Sequence, residues 1–275
     1  MDYQTFIITM HDRMRAEMQP EVKVEVYRTV KNNGMIRTGL LFTQTGVNIS
    51  PTIYLEEFYE QYLQGATFDV LAQKLRKIYE EVQIKQSISY QHILEFSQIQ
   101  NRIVYKLIQK QANEHLLEDL PHEEFLDLAV VYYVLLEKTE FGTATLLIRN
   151  EHIEGWNVRK EDVIRAARRN TPQLLPMEME SVTEYMYIAT NRTHSLGAGV
   201  MLYEEWKKAV AGIGENFFII PSSIHELILI PESFGMNRQQ LEVMVREINA
   251  TEVAKEEVLS DTVYYYDRET GSISV

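Results

Sequence analysis

The chain has 275 residues, 45% hydrophobic and 24% charged, a formal charge of −13 and no cysteine. That composition excludes disordered and fibrous classes, and it removes disulfide, thiolate-metal and cysteine-nucleophile chemistry. The acidic balance argues against direct binding to nucleic acid or an anionic membrane, because sequence-independent affinity for either comes from neutralising phosphates.

A chain of this length buries roughly 75% of its unfolded surface, which allows one large domain or two smaller ones. Twelve Gly and seven Pro are too few for a long flexible linker. The longest apolar run, Leu128 to Leu136, spans nine residues, about half of what a bilayer crossing needs. Asp2 stands where a secretory signal wants basic residues, so cytoplasmic residence is the expectation.

In chain order, Tyr3 to Met18 places Phe6, Ile7, Met10, Met14 and Met18 near one side of a helix. Glu21 to Val26 alternates in period two, and Asn33-Gly34 supplies a tight hairpin turn before Met35 to Phe42. Ser50-Pro51 has the chemistry of a helix start, with Leu55, Phe58, Tyr59, Tyr62 and Leu63 as its apolar stripe and Gly65 as its end. A further helix begins after Thr67 and buries Phe68, Leu71, Leu75, Ile78, Tyr79 and Val82. These elements form an N-terminal α+β unit over 1–85, followed by a main α+β domain over 86–275.

The second stretch opens with a strand over Asn101 to Ile108 and an acidic helix or loop around Glu118. Phe125 to Leu136 and Thr143 to Arg149 read as two buried strands joined by a turn containing Gly142. Val158 to Asn170 is a helix with a basic stripe, Arg165, Arg168 and Arg169, and Thr171-Pro172 is expected to stop it. Then come a strand over Tyr185 to Asn191, a helix over Met201 to Ala211, and strands over Phe217 to Pro221 and His225 to Ile230. Asn237 caps a helix that turns Leu241, Met244, Val245 and Ile248 inward, and Val263 to Asp267 with Ser272 to Val275 closes the chain as a hairpin. The fold class is α+β, with a mixed, largely antiparallel sheet and packed helices.

No phosphate loop, dinucleotide fingerprint, metal-ligand pair or nucleophile elbow is present. Pro221-Ser222-Ser223-Ile224-His225-Glu226 gathers hydroxyls, an imidazole and a carboxylate between two strands. On an extended backbone Ser223 and His225 share a face, so His225 could polarise Ser223 with Asp127 or Glu226 orienting the ring. The structural alternative makes the serines turn residues and His225 a hydrogen-bonded strand residue. Arg149-Asn150-Glu151-His152 ends a buried strand; Asn150 as a helix cap is the plain reading, and Arg149 as a carboxylate or anion clamp is the functional one.

Six carboxylates (Glu114, Glu118, Asp119, Glu123, Glu124, Asp127) stand between positions 114 and 127 with no Lys or Arg among them. They read as a solvated face, or as a docking surface for a basic protein partner, with Glu118, Asp119, Glu123 and Glu124 as its contacts. His115 and His122 flank these acids, but Pro121 breaks the helix that would align them, so no metal and no cofactor is expected. The arginine stripe is expected to pair with carboxylates of the chain itself.

Asn48 to Glu60, Asn101 to Leu107, Pro121 to Val131, Thr143 to His152, Asn170 to Pro176, Pro221 to Glu226 and Glu257 to Asp261 together resemble a family of bacterial proteins of unknown function. The layout of strand pair, helix and Leu-Pro stop is more faintly similar to the YtpQ-like family, also uncharacterised. The resemblance implies a shared fold and carries over no catalytic residues. A non-catalytic binding or adaptor protein is the leading expectation, and a small-molecule hydrolase using Ser223 and His225 is the alternative.

Overall fold

A computed structural model describes residues 1–44, 52–89, 95–139 and 142–275, and the side chains of 82–89, 137–139 and 142–144 fall outside that description. The fold is α+β with antiparallel sheets, and the chain divides into two compact units, 1–31 with 35–95 and 32–34 with 96–275.

In the first unit α1 (Tyr3–Glu17) starts at Asp2, whose carboxylate accepts from Thr5 N at 2.7 Å. Its expected stripe is the one that packs: Phe6, Ile7, Met10 and Met14 are buried and Met18 partly so. Strands β1 (Val22–Val30) and β2 (Ile36–Gln44) pair from Val22↔Gln44 to Val30↔Ile36. Asn33 and Gly34 in the turn take φ of 57° and 68°, the left-handed region that these residue types tolerate.

The helix expected from Ser50-Pro51 begins later. Residues 50 and 51 lie outside the described residues, β3 (Thr52–Tyr54) pairs with β2, and α2 is Glu56–Leu63. Thr52-Ile53-Tyr54 is β-branched and aromatic, so it suits a third strand better than a first helical turn. Helix α3 (Phe68–Ser89) buries Leu71, Leu75 and Tyr79 against α1 and β2, with Phe42 and Tyr79 stacked at 4.4 Å; Val82 lies outside the described side chains.

The second unit holds a four-stranded and a six-stranded sheet. After α4 (Phe96–Ile99), strand β4 (Ile103–Gln109) runs to α5 (Glu114–Glu118). What reads as one strand from Phe125 to Leu136 is a hairpin: β5 (His122–Phe125) turns at Leu126-Asp127 into β6 (Leu128–Thr139). Leu126 takes φ 55° there, a conformation its side chain does not advertise and no glycine marks. Strand β6 is central, flanked by β4 on one side and by β5 and β7 (Gly142–Leu147) on the other; the rest of the β6–β7 turn, 140–141, lies outside the described residues.

Helices α6 (Asn150–Trp156) and α7 (Lys160–Leu174) follow, and α7 runs through Pro172 instead of stopping before it. Three bonds hold that last turn: Thr171 Oγ1 donates to Ala167 O at 2.6 Å and accepts from Tyr105 N at 3.1 Å, and Leu175 N donates to Thr171 O at 2.8 Å. Asn170 adds two more, donating to Gln100 O and Ile103 O. Tertiary anchoring outweighs the local penalty of proline so near a helix end.

The six-stranded sheet has the order β13-β12-β10-β11-β9-β8: β8 (Met177–Thr183), β9 (Met186–Asn191), β10 (Phe217–Ile220), β11 (Leu227–Pro231), β12 (Tyr264–Asp267) and β13 (Ser272–Ser274). Strand β8 lies at an edge, and its Met-Glu-Met-Glu start has weak strand propensity, so periodicity passes over it. Met201 to Ala211 is not one helix but a 3₁₀ stretch, Gly197–Leu202, and a short α8 (Trp206–Val210). Asn237 caps α9 (Arg238–Thr251) as expected, accepting from Gln240 N at 3.0 Å. Leu241 and Val245 are buried but Met244 and Ile248 are exposed, so the buried stripe is narrower than the sequence suggests.

Candidate functional site

Antiparallel register collects one set of side chains on a single face of the four-stranded sheet. Tyr105 of β4 is opposite Tyr132 of β6, and Glu123 of β5 is opposite Val130, two residues before Tyr132. Directly opposed residues share a face, as do i and i+2, so Tyr105, Val130, Tyr132 and Glu123 stand together. The β5–β6 turn at Leu126 sets this register.

These residues form one wall of a cleft of about 660 Å³. Arg168, Arg169, Pro172 and Gln173 of α7 form another, and Leu202 to Glu205 the third. The tyrosines are fixed: Tyr132 OH donates to Glu123 Oε2 at 2.7 Å, Tyr203 OH donates to Leu175 O at 2.7 Å, and Tyr105 meets Tyr203 edge to face at 6.2 Å. Burial pushes all three phenols well above the ordinary tyrosine range, helped at Tyr132 by Glu123 and at Tyr203 by Glu205. They stay neutral, and they serve as aromatic surface and hydrogen-bond donors, not as bases.

The charges in the cleft differ in what they meet. Arg168 donates to Glu123 Oε1 at 2.8 Å, which with the Arg165–Asp162 pair gives the expected pairing within the chain for two members of the arginine stripe. Arg165 faces Asp162 at 3.5 Å, and Arg169 directs its donors to Asn101 Oδ1 and Asn170 Oδ1 at 3.1 and 3.2 Å. Glu124 is paired with Lys110 at 2.7 Å, which holds its carboxyl below the usual range. Glu204 and Glu205 are exposed at the rim.

The other sequence candidates are placed elsewhere. Asp119 and Arg149 pair with each other at 3.3 Å, so the arginine clamps a carboxylate of its own chain. Asn150 is not the helix cap. Its backbone N donates to Asp119 O at 2.9 Å and its side chain to Glu118 O at 3.3 Å. The capping interaction comes from His152, whose Nδ1 accepts from Arg149 N at 2.9 Å while the ring stacks on Trp156 at 5.6 Å. Glu118 pairs with His115 at 3.6 Å on the surface, and His122 Nδ1 lies 2.9 Å from Leu120 O; no group of metal-ligating side chains occurs among the described residues.

Ser223, the His225 ring and Asp127 form no relay. Ser223 Oγ accepts from His225 backbone N at 3.1 Å. The His225 ring accepts from Leu196 N at Nδ1, 3.1 Å, and reaches Glu257 through Nε2 at 3.3 Å, so both nitrogens are engaged away from the hydroxyl. Asp127 accepts from Ser260 Oγ at 2.6 Å and from Tyr264 OH. A nucleophile relay needs a ring nitrogen free to take the hydroxyl proton, and this ring has none.

Sequence reasoning named Glu123, Glu124, Arg168 and Arg169 as parts of separate charged faces, but it did not bring them together. It missed Tyr105, Tyr132, Tyr203, Glu204 and Glu205. The one available signal was the cluster Tyr203-Glu-Glu-Trp206, where two aromatic residues flank two acidic ones outside any strong period.

A family model described as a family of unknown function (DUF5688) matches residues 3–186 and 178–268, so the chain belongs to that family. The fainter likeness to the YtpQ-like family is not shown. No curated protein and no solved structure matches the chain. No helix among the described residues is long and apolar enough to cross a membrane.

Proposed function

We propose that the protein is a non-catalytic binding protein of the bacterial cytoplasm, and that its contact site is the tyrosine-walled cleft of the second unit. The observation that carries this reading is the cleft itself: about 660 Å³, walled by three tyrosines whose rings are held by hydrogen bonds and packing. Preformed concave sites with aromatic walls and a few directed polar groups are where proteins take ligands. Glu123 and Glu124 of the acidic stretch line it.

Crystals soaked with a library of small neutral and charged fragments test the reading. Fragment density concentrated between Tyr105, Tyr132 and Tyr203, with the same fragments unaltered by the protein in solution, supports it. Density elsewhere with the cleft left unoccupied, or chemical conversion of a cleft-bound fragment, overturns it.

A further inference from the structure

Resting on the binding reading above, we infer that the cleft takes an extended basic segment of a partner protein, with a Lys or Arg side chain seated at the Glu204-Glu205 rim. Three observations converge on this ligand class.

The first is the direction of the polar groups. The cations of the cleft already face acceptors of the chain: Arg168 bonds Glu123, and Arg169 bonds Asn101 and Asn170. The exposed carboxylates of Glu204 and Glu205 supply acceptors at the mouth, so a ligand that brings donors and positive charge fits better than an anion.

The second is shape. A smaller annex of about 290 Å³ adjoins the cleft, sharing Phe125, Tyr203 and Glu204 with its lining and reaching Trp206. A cleft with an annex suits a chain segment better than a compact metabolite.

The third is Trp206. Its side chain is buried, it lines the annex, and its indole N–H meets no acceptor among the described residues. A buried donor without a partner is costly, and a peptide carbonyl is the acceptor that an extended segment would bring. Acidic side chains at the rim set the charge, and the indole reads the backbone.

The test uses the full chain and fluorescein-labelled peptides: alternating Arg-Gly, alternating Glu-Gly and alternating Ser-Gly hexamers, followed by anisotropy at two salt concentrations. The basic peptide should bind saturably, and the acidic and neutral ones should not. E204K/E205K, two exposed substitutions, should weaken binding at least tenfold, and Trp206→Phe should weaken it several-fold. E118K/D119K, equal in charge change but outside the cleft, should leave it unchanged. Equal loss in E118K/D119K and E204K/E205K would mean diffuse attraction to an acidic protein and would overturn the inference. So would preference for the acidic peptide, or unchanged binding in E204K/E205K. If fragments fill the cleft in crystals while the basic peptide does not bind, the binding reading stands and the ligand class fails; if neither binds, both fail.

Discussion

Gly197→Ala probes whether the segment around His225 is architecture. A Cβ at this buried position would lie 2.2 Å from Thr190 Oγ1, 2.5 Å from His225 O and 2.8 Å from Asn191 N. The Thr190 hydroxyl can turn away, but only by giving up its 2.7 Å bond to His225 O. The other two contacts are backbone. His225 O also accepts from Gly197 N at 2.9 Å, and Leu227 pairs with Ala189 close by, so neither strand end can retreat without loosening its ladder. Overpacking of this kind costs about 1–3 kcal/mol, and the lost hydroxyl bond about 0.5–1.5 kcal/mol more, giving roughly 2–4 kcal/mol. Both tryptophans, Trp156 and Trp206, lie in the second unit, so a urea titration followed by tryptophan fluorescence reads the relevant transition. Gly155→Ala is the matched control: its Cβ would meet nothing within 4 Å in helix α6, and it should stabilise by about 0.5–1 kcal/mol. A Gly197→Ala protein within about 0.5 kcal/mol of the parent would refute the reasoning.

Three further outcomes follow from the same bonds. Tyr132→Phe removes the donor to Glu123 and should destabilise the second unit by about 1–2 kcal/mol in the same titration, while leaving the cleft's shape intact by crystallography. Ser223→Ala, which deletes only an acceptor for His225 N, should cost no more than about 1.5 kcal/mol and leave peptide affinity unaltered; a loss of affinity would put Ser223 back in a working site. His152 is held below the ordinary histidine range by burial and by Arg149, with Glu151 opposing, so the folded state binds its proton less readily than the unfolded one. Its contribution is therefore fully present above pH ~6.5 and is lost as pH falls through the folded value. His152→Ala should flatten that part of a stability-versus-pH curve and lose about 1 kcal/mol of capping at neutral pH; an unchanged slope would show that another group carries it.

The elements that the sequence made legible are those whose signal is local. The α1 stripe, the Asn33-Gly34 turn and the Asn237 cap each rest on a period or on one residue's backbone preference. The misreadings arise where tertiary contacts decide. Leu126 turns a hairpin with no glycine, because β5 finds its ladder on β6 only that way round. Pro172 stays helical because Asn170 and Thr171 pin α7 to β4 and its approach. The cleft was hidden for a related reason. Tyr105, Tyr132 and Tyr203 are far apart in the chain, and what joins them is the strand register and the path of the 3₁₀ stretch, neither of which leaves a motif. Ser223 and His225, by contrast, drew attention because they are adjacent in sequence, and the structure puts the histidine ring to work on Leu196 and Glu257.

Hydrogen–deuterium exchange with and without the alternating Arg-Gly peptide is the most direct measure of whether this protein works through its cleft. Protection should rise in three separated stretches, 123–132, 168–173 and 202–206, and stay level around Glu118 and around Ser223. Protection spread over the acidic surface at large, or centred on residues 222–226, would contradict the account.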